Sequence, residues 1–309
     1  MIWTVKKGAY RVFQAIMKVA GFVLPIRVPE LLIGGGSVKK LAKTVKKRDL
    51  SHVLVVTDKV LTGLGLARGM LDSLSENGID VTVFDDVQPN PTIGNIEAGL
   101  KCYIDSGCQG IIAFGGGSPM DCAKMIGALA SNPKSTVLKM RGMFRVWRKP
   151  PPIFAVPTTA GTGSEATLAA VVSNLETHEK FAIIDFKLVP QVAVLDPELM
   201  LGLPLDITAA TGMDALTHAI EAYIGLHGTR FCNAKAEEAV KIIFKDLEAV
   251  CRDGSDLARR ENMALASFHA GVAFTRASVG YVHAVAHNLG GLYGVPHGLA
   301  NAVVLPYVL

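Results

Sequence analysis

The segment GYVHAVAHNLGGLYGVPHG at 280–298 holds His283, His287 and His297, a concentration in a chain with eight histidines. Grouped imidazoles suit metal binding or proton transfer, and His283 and His287, four apart, share one helical face. A second pair has the same spacing. GMDALTHAIEAY at 212–223 puts Asp214 and His218 on one side of a helix, within reach of one cation. An Asp and a His four apart are common in any helix. Beside a histidine-rich segment they become a candidate centre. One carboxylate plus imidazoles suits Fe2+ or Zn2+ and leaves a position open for a substrate oxygen. His52, His178, His227 and His269 lie away from both segments and read as surface or packing residues.

Glycine loops form the other chemical signal. GGGS occurs at 34–37 and again at 115–118. The second copy, FGGGSPMDCAK, leaves an apolar run and enters a helix. Glycines there let the backbone approach a phosphate, and the helix N-terminus offers free N–H donors. The first copy, LLIGGGSVKK, has no acidic residue or proline after it and reads as a structural turn. Asp58 ends an apolar run in VVTDK, where a carboxylate either accepts from an adenosine ribose or caps a turn. AVPTTAGTGSEAT at 155–167 is rich in small donors, as a dinucleotide-lining segment or an ordinary polar loop would be.

These residues need elements to hold them. The runs at 52–58, 80–85, 109–115, 152–157 and 191–196 are short, apolar and β-branched, with helical stretches near 61–77, 94–106 and 119–131 between several of them. Such alternation predicts a parallel sheet covered on both faces, an α/β layer. Beyond LPLDITAATG the strand signals stop, and residues 206–290 read as successive helices. The expected architecture is therefore an α/β domain over 1–200 followed by an all-α domain over 201–309, with a cleft between them. Residues 1–27 are expected to form an N-terminal helical extension of the first domain.

Composition narrows the classes. With 31 basic and 27 acidic residues the net charge is +4, too mild to imply nucleic acid, and no nucleic-acid motif is present. The basic run KKLAKTVKKR at 39–48 has the spacing of a solvated helical face. The five cysteines are scattered without a CxxC pair, which fits a reduced, cytoplasmic chain. The apolar stretch at 9–25 is interrupted by Arg11 and Lys18 and ended by Pro25. It reads as a surface helix rather than a transmembrane segment, and it has no signal-peptide cleavage pattern.

The motifs PNPT (89–92), FGGGSPMDCAK, PTTAGTGSEAT, LDPEL, TAATGMDALTHAIEAY and GYVHAVAHNLGG…PHGLANAVVLP follow one another in the order found in iron-containing alcohol dehydrogenases. From about residue 28 onward the chain resembles that family. The resemblance implies a dinucleotide-binding domain followed by a helical metal domain, with the metal on Asp214, His218, His283 and His297. His287 is implied as a nearby histidine that contacts nicotinamide or relays a proton. Gly116, Gly117 and Ser118 match the pyrophosphate loop, with Asp121 at the start of the following helix. Thr158, Thr159 and Thr162 match the second cofactor loop. Asn90 lies in PNPT, Lys180 resembles the lysine near the nicotinamide ribose, and Asp58 matches the position favouring NAD over NADP.

The expected cofactors are thus Fe2+, or Zn2+ on the same ligands, and NAD. The expected activity is hydride transfer between a small primary alcohol, diol or hydroxy acid and NAD, in a homodimer or higher oligomer. Members of the family usually continue with several more helices, so the resemblance also implies that the helical domain is incomplete at its C-terminus. Two other readings follow: a catalytically impaired remnant that binds nucleotide or other subunits, and a lyase similar to dehydroquinate synthase. The second would need basic residues around the metal to grip a carboxylate and phosphate, and those segments are poor in them.

Overall fold

The continuous apolar runs become strands of one parallel sheet. The computed structural model describes residues 26–309, together with positions 6–8, 10–12, 14, 15 and 19. The helix expected at 9–25 lies largely outside the described residues. In chain order the elements begin β1 (Glu30–Ile33), α1 (Ser37–Lys46), β2 (His52–Val56), α2 (Lys59–Gly63), α3 (Arg68–Glu76) and β3 (Asp80–Phe84). They continue with α4 (Ile93–Asp105), β4 (Gly110–Gly115), α5 (Gly117–Ser131), α6 (Val137–Met140), β5 (Gly142–Met143) and β6 (Ile153–Pro157). Next come β7 (Ala169–Asn174), β8 (Glu179–Ile184) and β9 (Val192–Leu195). Five helices follow: α7 (Leu205–Ile224), α8 (Arg230–Arg252), α9 (Leu257–Ala277), α10 (Tyr281–Tyr293) and α11 (His297–Val308).

The large sheet has the order β1-β9-β6-β4-β2-β3, every pairing parallel. Successive side chains on a strand point to opposite faces, and here each face has its own core. Leu54, Val56, Ile111, Ala113, Ile153 and Ala155 meet α4 and α5 on one side. Val53, Val55, Ile112, Phe114, Phe154 and Val156 meet α1 and α3 on the other. Both faces being covered, these strands read as unbroken apolar runs rather than alternating ones. Each fully buried Leu, Ile, Val or Phe contributes about 1.5–3 kcal/mol, so the central strands anchor the fold.

The strand order reverses between β2 and β4. The chain runs outward from β2 to β3, then returns to lay down β4, β6 and β9 on the opposite side. Ligands of open α/β sheets bind beyond the C-terminal strand ends at such a reversal. Asp58 follows β2 there, and the second GGGS loop follows β4.

The helical part packs on the β9 side of the sheet. Ala193 and Leu195 of β9 share a core with Ala215, Ile243, Met263, Phe268, Val282 and Leu305. A seam of small residues (Ala219, Ala222, Ala236, Ala239, Ala270, Ala273) lets α7, α8 and α9 approach closely. Two features go beyond the sequence reading: the edge strand β1, and a small second sheet, β5-β8-β7, in which β7 and β8 form an antiparallel hairpin. That hairpin carries Lys180. The five cysteines are free, and no helix among the described residues is long and apolar enough to cross a membrane.

Candidate metal centre and cofactor face

Helix α7 supplies Asp214, His218 and Glu221 from one buried face. His283 lies in the first turn of α10, and His297 opens α11. The approach of α11 to α7 depends on Gly298, where a Cβ would collide with the backbone carbonyl of Ala210. The glycine after His297 thereby sets that imidazole against Asp214. Asp214, His283 and His297 offer one donor atom each, all within 4.8 Å of one another. Both His283 Nε2 and His297 Nε2 stand 3.5 Å from Asp214 Oδ1. A tetrahedral cation with bonds of about 2.1 Å needs donors roughly 3.4 Å apart, which both Asp214–histidine pairs match.

His218 lies beside this trio, with Nδ1 3.9 Å from Asp214 Oδ1. Its ring stacks on His283 at 4.3 Å and on Phe274 at 4.1 Å between centroids. Nδ1 of His218 is buried without a hydrogen-bond partner, an arrangement that costs free energy unless something else meets the atom. This orphaned donor atom is a second sign that the cluster suits a cation. His287, one turn after His283, stays outside the donor set. It is exposed, its ring 5.0 Å from that of His297 and 5.9 Å, edge-on, from that of His283. It stands between the cluster and solvent.

The electrostatics follow from this crowding. Burial would raise Asp214, but the surrounding His218, His283 and His297 rings hold it well below the ordinary carboxylate range. Burial lowers His218 to about 3, only partly offset by Asp214. Partial desolvation of its inner edge, then the His297 and His283 rings, lowers His287, and burial likewise lowers His297. Neutral rings keep a free lone pair, which a metal ligand or a proton acceptor needs. His283 differs. Burial opposes its protonation, but hydrogen bonds to Asp214 and Glu221 prevail and raise it to about 9.

Sequence reasoning missed two polar residues here. Glu221 is buried and accepts from His283 Nδ1 at 2.6 Å. Asn301 is fully buried; its Nδ2 donates to Asp214 Oδ1 at 2.7 Å and lies 3.2 Å from His283 Nε2 and 3.3 Å from His297 Nε2. Spacing could have found both. Glu221 falls three residues after His218, and Asn301 four after His297, each on the ligand-bearing side of its helix.

The cofactor residues gather around the N-terminus of α5. Gly116, without a side chain, caps that helix, and among the described residues the N–H groups of Gly117 and Ser118 meet no acceptor. Thr159 lies against Gly116 and Thr162 against Gly117, where a Cβ would meet the Thr162 methyl at 3.1 Å. Thr158 is buried and ties its N–H to the Gly115 carbonyl. Ser118 Oγ accepts from the Asn90 N–H at 3.1 Å, and Asn90 Oδ1 accepts from Lys180 Nζ at 2.9 Å. Three residues from distant segments thus form one chain. Asp58 uses Oδ1 to accept from the N–H groups of Val60 and Leu61, capping α2.

Asp121 departs from the expectation that it faces the cofactor. Its two oxygens accept from Ser164 Oγ at 2.8 Å and the Val171 N–H at 2.9 Å. It braces the second loop against α5 instead. Lys124, fully buried one turn on, does the same through Ser164, Thr167 and the Ala169 carbonyl. That loop in turn reaches the metal helices, with Gly161 against Thr211 of α7 and Gly163 against Gly271 of α9.

Comparison with known proteins agrees with this layout. Residues 29–197 match the family described as iron-containing alcohol dehydrogenase, and residues 208–309 match the C-terminal part of that family. The chain is 43% identical over 302 residues to 1,3-propanediol dehydrogenase of Citrobacter freundii, covering 97% of this chain and 75% of that one. It is 42% identical over 290 residues to alcohol dehydrogenase 4 of Saccharomyces cerevisiae (strain YJM789), covering 94% and 75%. The crystal structure of sulfoacetaldehyde reductase from Bifidobacterium kashiwanohense in complex with NAD+ superposes with a TM-score of 0.85 at 32% identity, covering 91% and 74%. Fold, motif order and relatives converge: this chain belongs to the iron-containing alcohol dehydrogenase family and is an oxidoreductase of alcohols and aldehydes.

Proposed function

We propose that the chain passes hydride between a small primary alcohol, diol or hydroxy acid and NAD, yielding the aldehyde or ketone, with reduction as the reverse. In this reading Asp214, His218, His283 and His297 hold Fe2+, which when bound polarises the alcohol oxygen and lowers its pKa. Gly116, Gly117 and Ser118 receive the pyrophosphate on the open N-terminus of α5. Thr158, Thr159 and Thr162 line the dinucleotide, and Asn90 and Lys180 meet the nicotinamide ribose. Asp58 sits where a 2′-phosphate would be repelled, which favours NAD over NADP. The division of labour falls near residue 200, cofactor on the α/β side and metal on the helices.

One observation carries this reading. The second cofactor loop joins the two halves: Thr159 and Thr162 lie against Gly116 and Gly117 of the glycine loop, while Gly161 packs on Thr211 of α7 and Gly163 on Gly271 of α9. A cofactor lying along that line would reach the histidine cluster at its nicotinamide end. The relative from Bifidobacterium kashiwanohense, whose structure holds NAD+, has the same fold. His287, at the solvent side of the cluster, takes the alcohol proton and hands it to water.

The test is NADH formation with a panel of small primary alcohols, with and without added Fe2+ or Zn2+. Metal-dependent turnover is expected; NAD binding without turnover of any alcohol would overturn the reading. Zn2+ fits the same donors, and metal analysis of protein purified without oxygen separates the two ions. For the relay, His287→Ala should lower kcat by about 10²-fold or more and flatten its pH profile, with metal content retained. An unchanged profile would remove His287 from the mechanism.

A further inference from the structure

Glu221 lies on α7, seven residues after Asp214 and three after His218, and is 2% exposed. A buried carboxylate is costly unless its oxygens are met, and here they have three partners, all at the start of α10. Oε1 accepts from the Val282 N–H at 2.6 Å; Oε2 accepts from the Gly280 N–H at 2.8 Å and from His283 Nδ1 at 2.6 Å. Gly280 is part of the fit, because a Cβ there would stand 2.8 Å from Oε1. The two backbone bonds fix where the carboxylate sits. The third bond uses that fixed position to govern an imidazole.

A ring nitrogen that bonds a carboxylate carries its proton on that side, so when a cation takes the place of the proton between Nε2 and Asp214, His283 keeps its proton on Nδ1 against Glu221 and offers Nε2 as the lone-pair nitrogen. Nε2 is the atom that faces Asp214, 3.5 Å away, on the side of His297. We propose that Glu221 is the positioning carboxylate of the metal centre: it holds His283 in the tautomer and orientation that present Nε2 to the ion. This rests on reading Asp214, His218, His283 and His297 as the metal set. Outer carboxylates of this kind change metal affinity by roughly 10–100-fold when removed. A carboxylate that served only to cap α10 would change stability and leave affinity alone.

The experiment titrates the metal-free full chain with Co2+ and with Zn2+, for wild type, Glu221→Gln, Glu221→Asp and His283→Ala. The readouts are the Co2+ visible absorption, chelator competition for the dissociation constant, and thermal unfolding as a control on folding. Glutamine keeps the shape but loses the charge, and its NH2 must face either the Val282 N–H or the Gly280 N–H and His283 Nδ1, so the hold on the imidazole weakens in either orientation. E221Q should therefore bind about 10–100-fold more weakly and shift the Co2+ bands, while E221D, with its charge kept, recovers part of the loss. Affinity and bands unchanged in E221Q, with binding lost in H283A, would overturn the proposal and leave the ligand set standing. Absence of metal binding by the wild type would overturn both. Should E221Q fail to fold, E221D decides: about threefold weaker binding or more is expected, and an unchanged constant overturns the proposal.

Discussion

Two segments of this chain have the same sequence and nearly the same setting, yet opposite fates. Gly34–Ser37 and Gly115–Ser118 both read GGGS, both follow a parallel strand, and both open a helix. At the first loop the free N–H groups are already taken. Asp196 has no exposure, and its carboxylate accepts from Gly36 at 3.2 Å and from Val38 at 3.0 Å. Asp196 arrives there because β9 pairs with β1 in register, Leu195 beside Ile33. At the second loop the neighbouring strands end differently. β6 runs into Thr158 and Thr159, and β2 into Asp58, whose Oδ1 is occupied with its own helix. Among the described residues, no acceptor meets the Gly117 and Ser118 N–H groups that open α5. A helix N-terminus is an anion site only where the fold has not filled it with an anion of its own.

The largest effect should come from emptying the filled loop. Asp196→Ala leaves the N–H groups of Gly36, Val38 and Glu198 without their acceptor. Buried donors left unmet cost on the order of 1–3 kcal/mol, so denaturant unfolding should show a loss of about 3 kcal/mol. Ser118→Ala, the matching change at the open loop, should stay within about 0.5 kcal/mol of wild type. Equal losses at both positions would break the contrast.

A change at the open loop should instead be felt by the cofactor. At Gly117 an added Cβ would meet the Thr162 methyl at 3.1 Å, close enough that the threonine must give a little. Gly117→Ala narrows the cradle where backbone and phosphate would meet. NAD affinity, read by fluorescence titration, should fall about tenfold, or about 1.4 kcal/mol, with little change in melting temperature. An NAD dissociation constant that does not move would place the pyrophosphate elsewhere.

The same contrast marks what could be read from sequence. The central strands were legible because both faces are buried, which makes each an unbroken apolar run. β1 is four residues long, and β7 and β8 are half exposed, so their patterns fall below that signal. Asp196 could not be linked to the first loop by any local rule, since 160 residues separate it from Gly36. Asp121 failed for a related reason. Its place after GGGS suggested the cofactor, but α5 is buried nearly all round, and both Asp121 oxygens are taken by Ser164 of the second loop and Val171 of β7. Among the histidines, spacing favoured His283 with His287. The turn through Gly294, with φ of +68°, brings His297 to Asp214 instead, and His287 faces outward. Helical periodicity sees one helix at a time, and this cluster is built from three.

The smallest effect concerns the strand end beside the open loop. Asp58 has two tasks that a careful substitution can separate. Asn keeps an oxygen to accept from Val60 and Leu61, so Asp58→Asn should retain the cap of α2, whereas Asp58→Ala should cost about 1 kcal/mol of stability. Both remove the negative charge. If that charge is what excludes a 2′-phosphate, each variant should raise the kcat/KM ratio of NADP to NAD by about fivefold, the scale of one like-charge contact of about 1 kcal/mol across water. The shift should shrink at high salt, because a partly exposed charge acts through screened water. A ratio that moves in Asp58→Ala but not in Asp58→Asn would assign the effect to the lost cap, and Asp58 would then be a structural residue like Asp196, its carboxylate spent on its own helix.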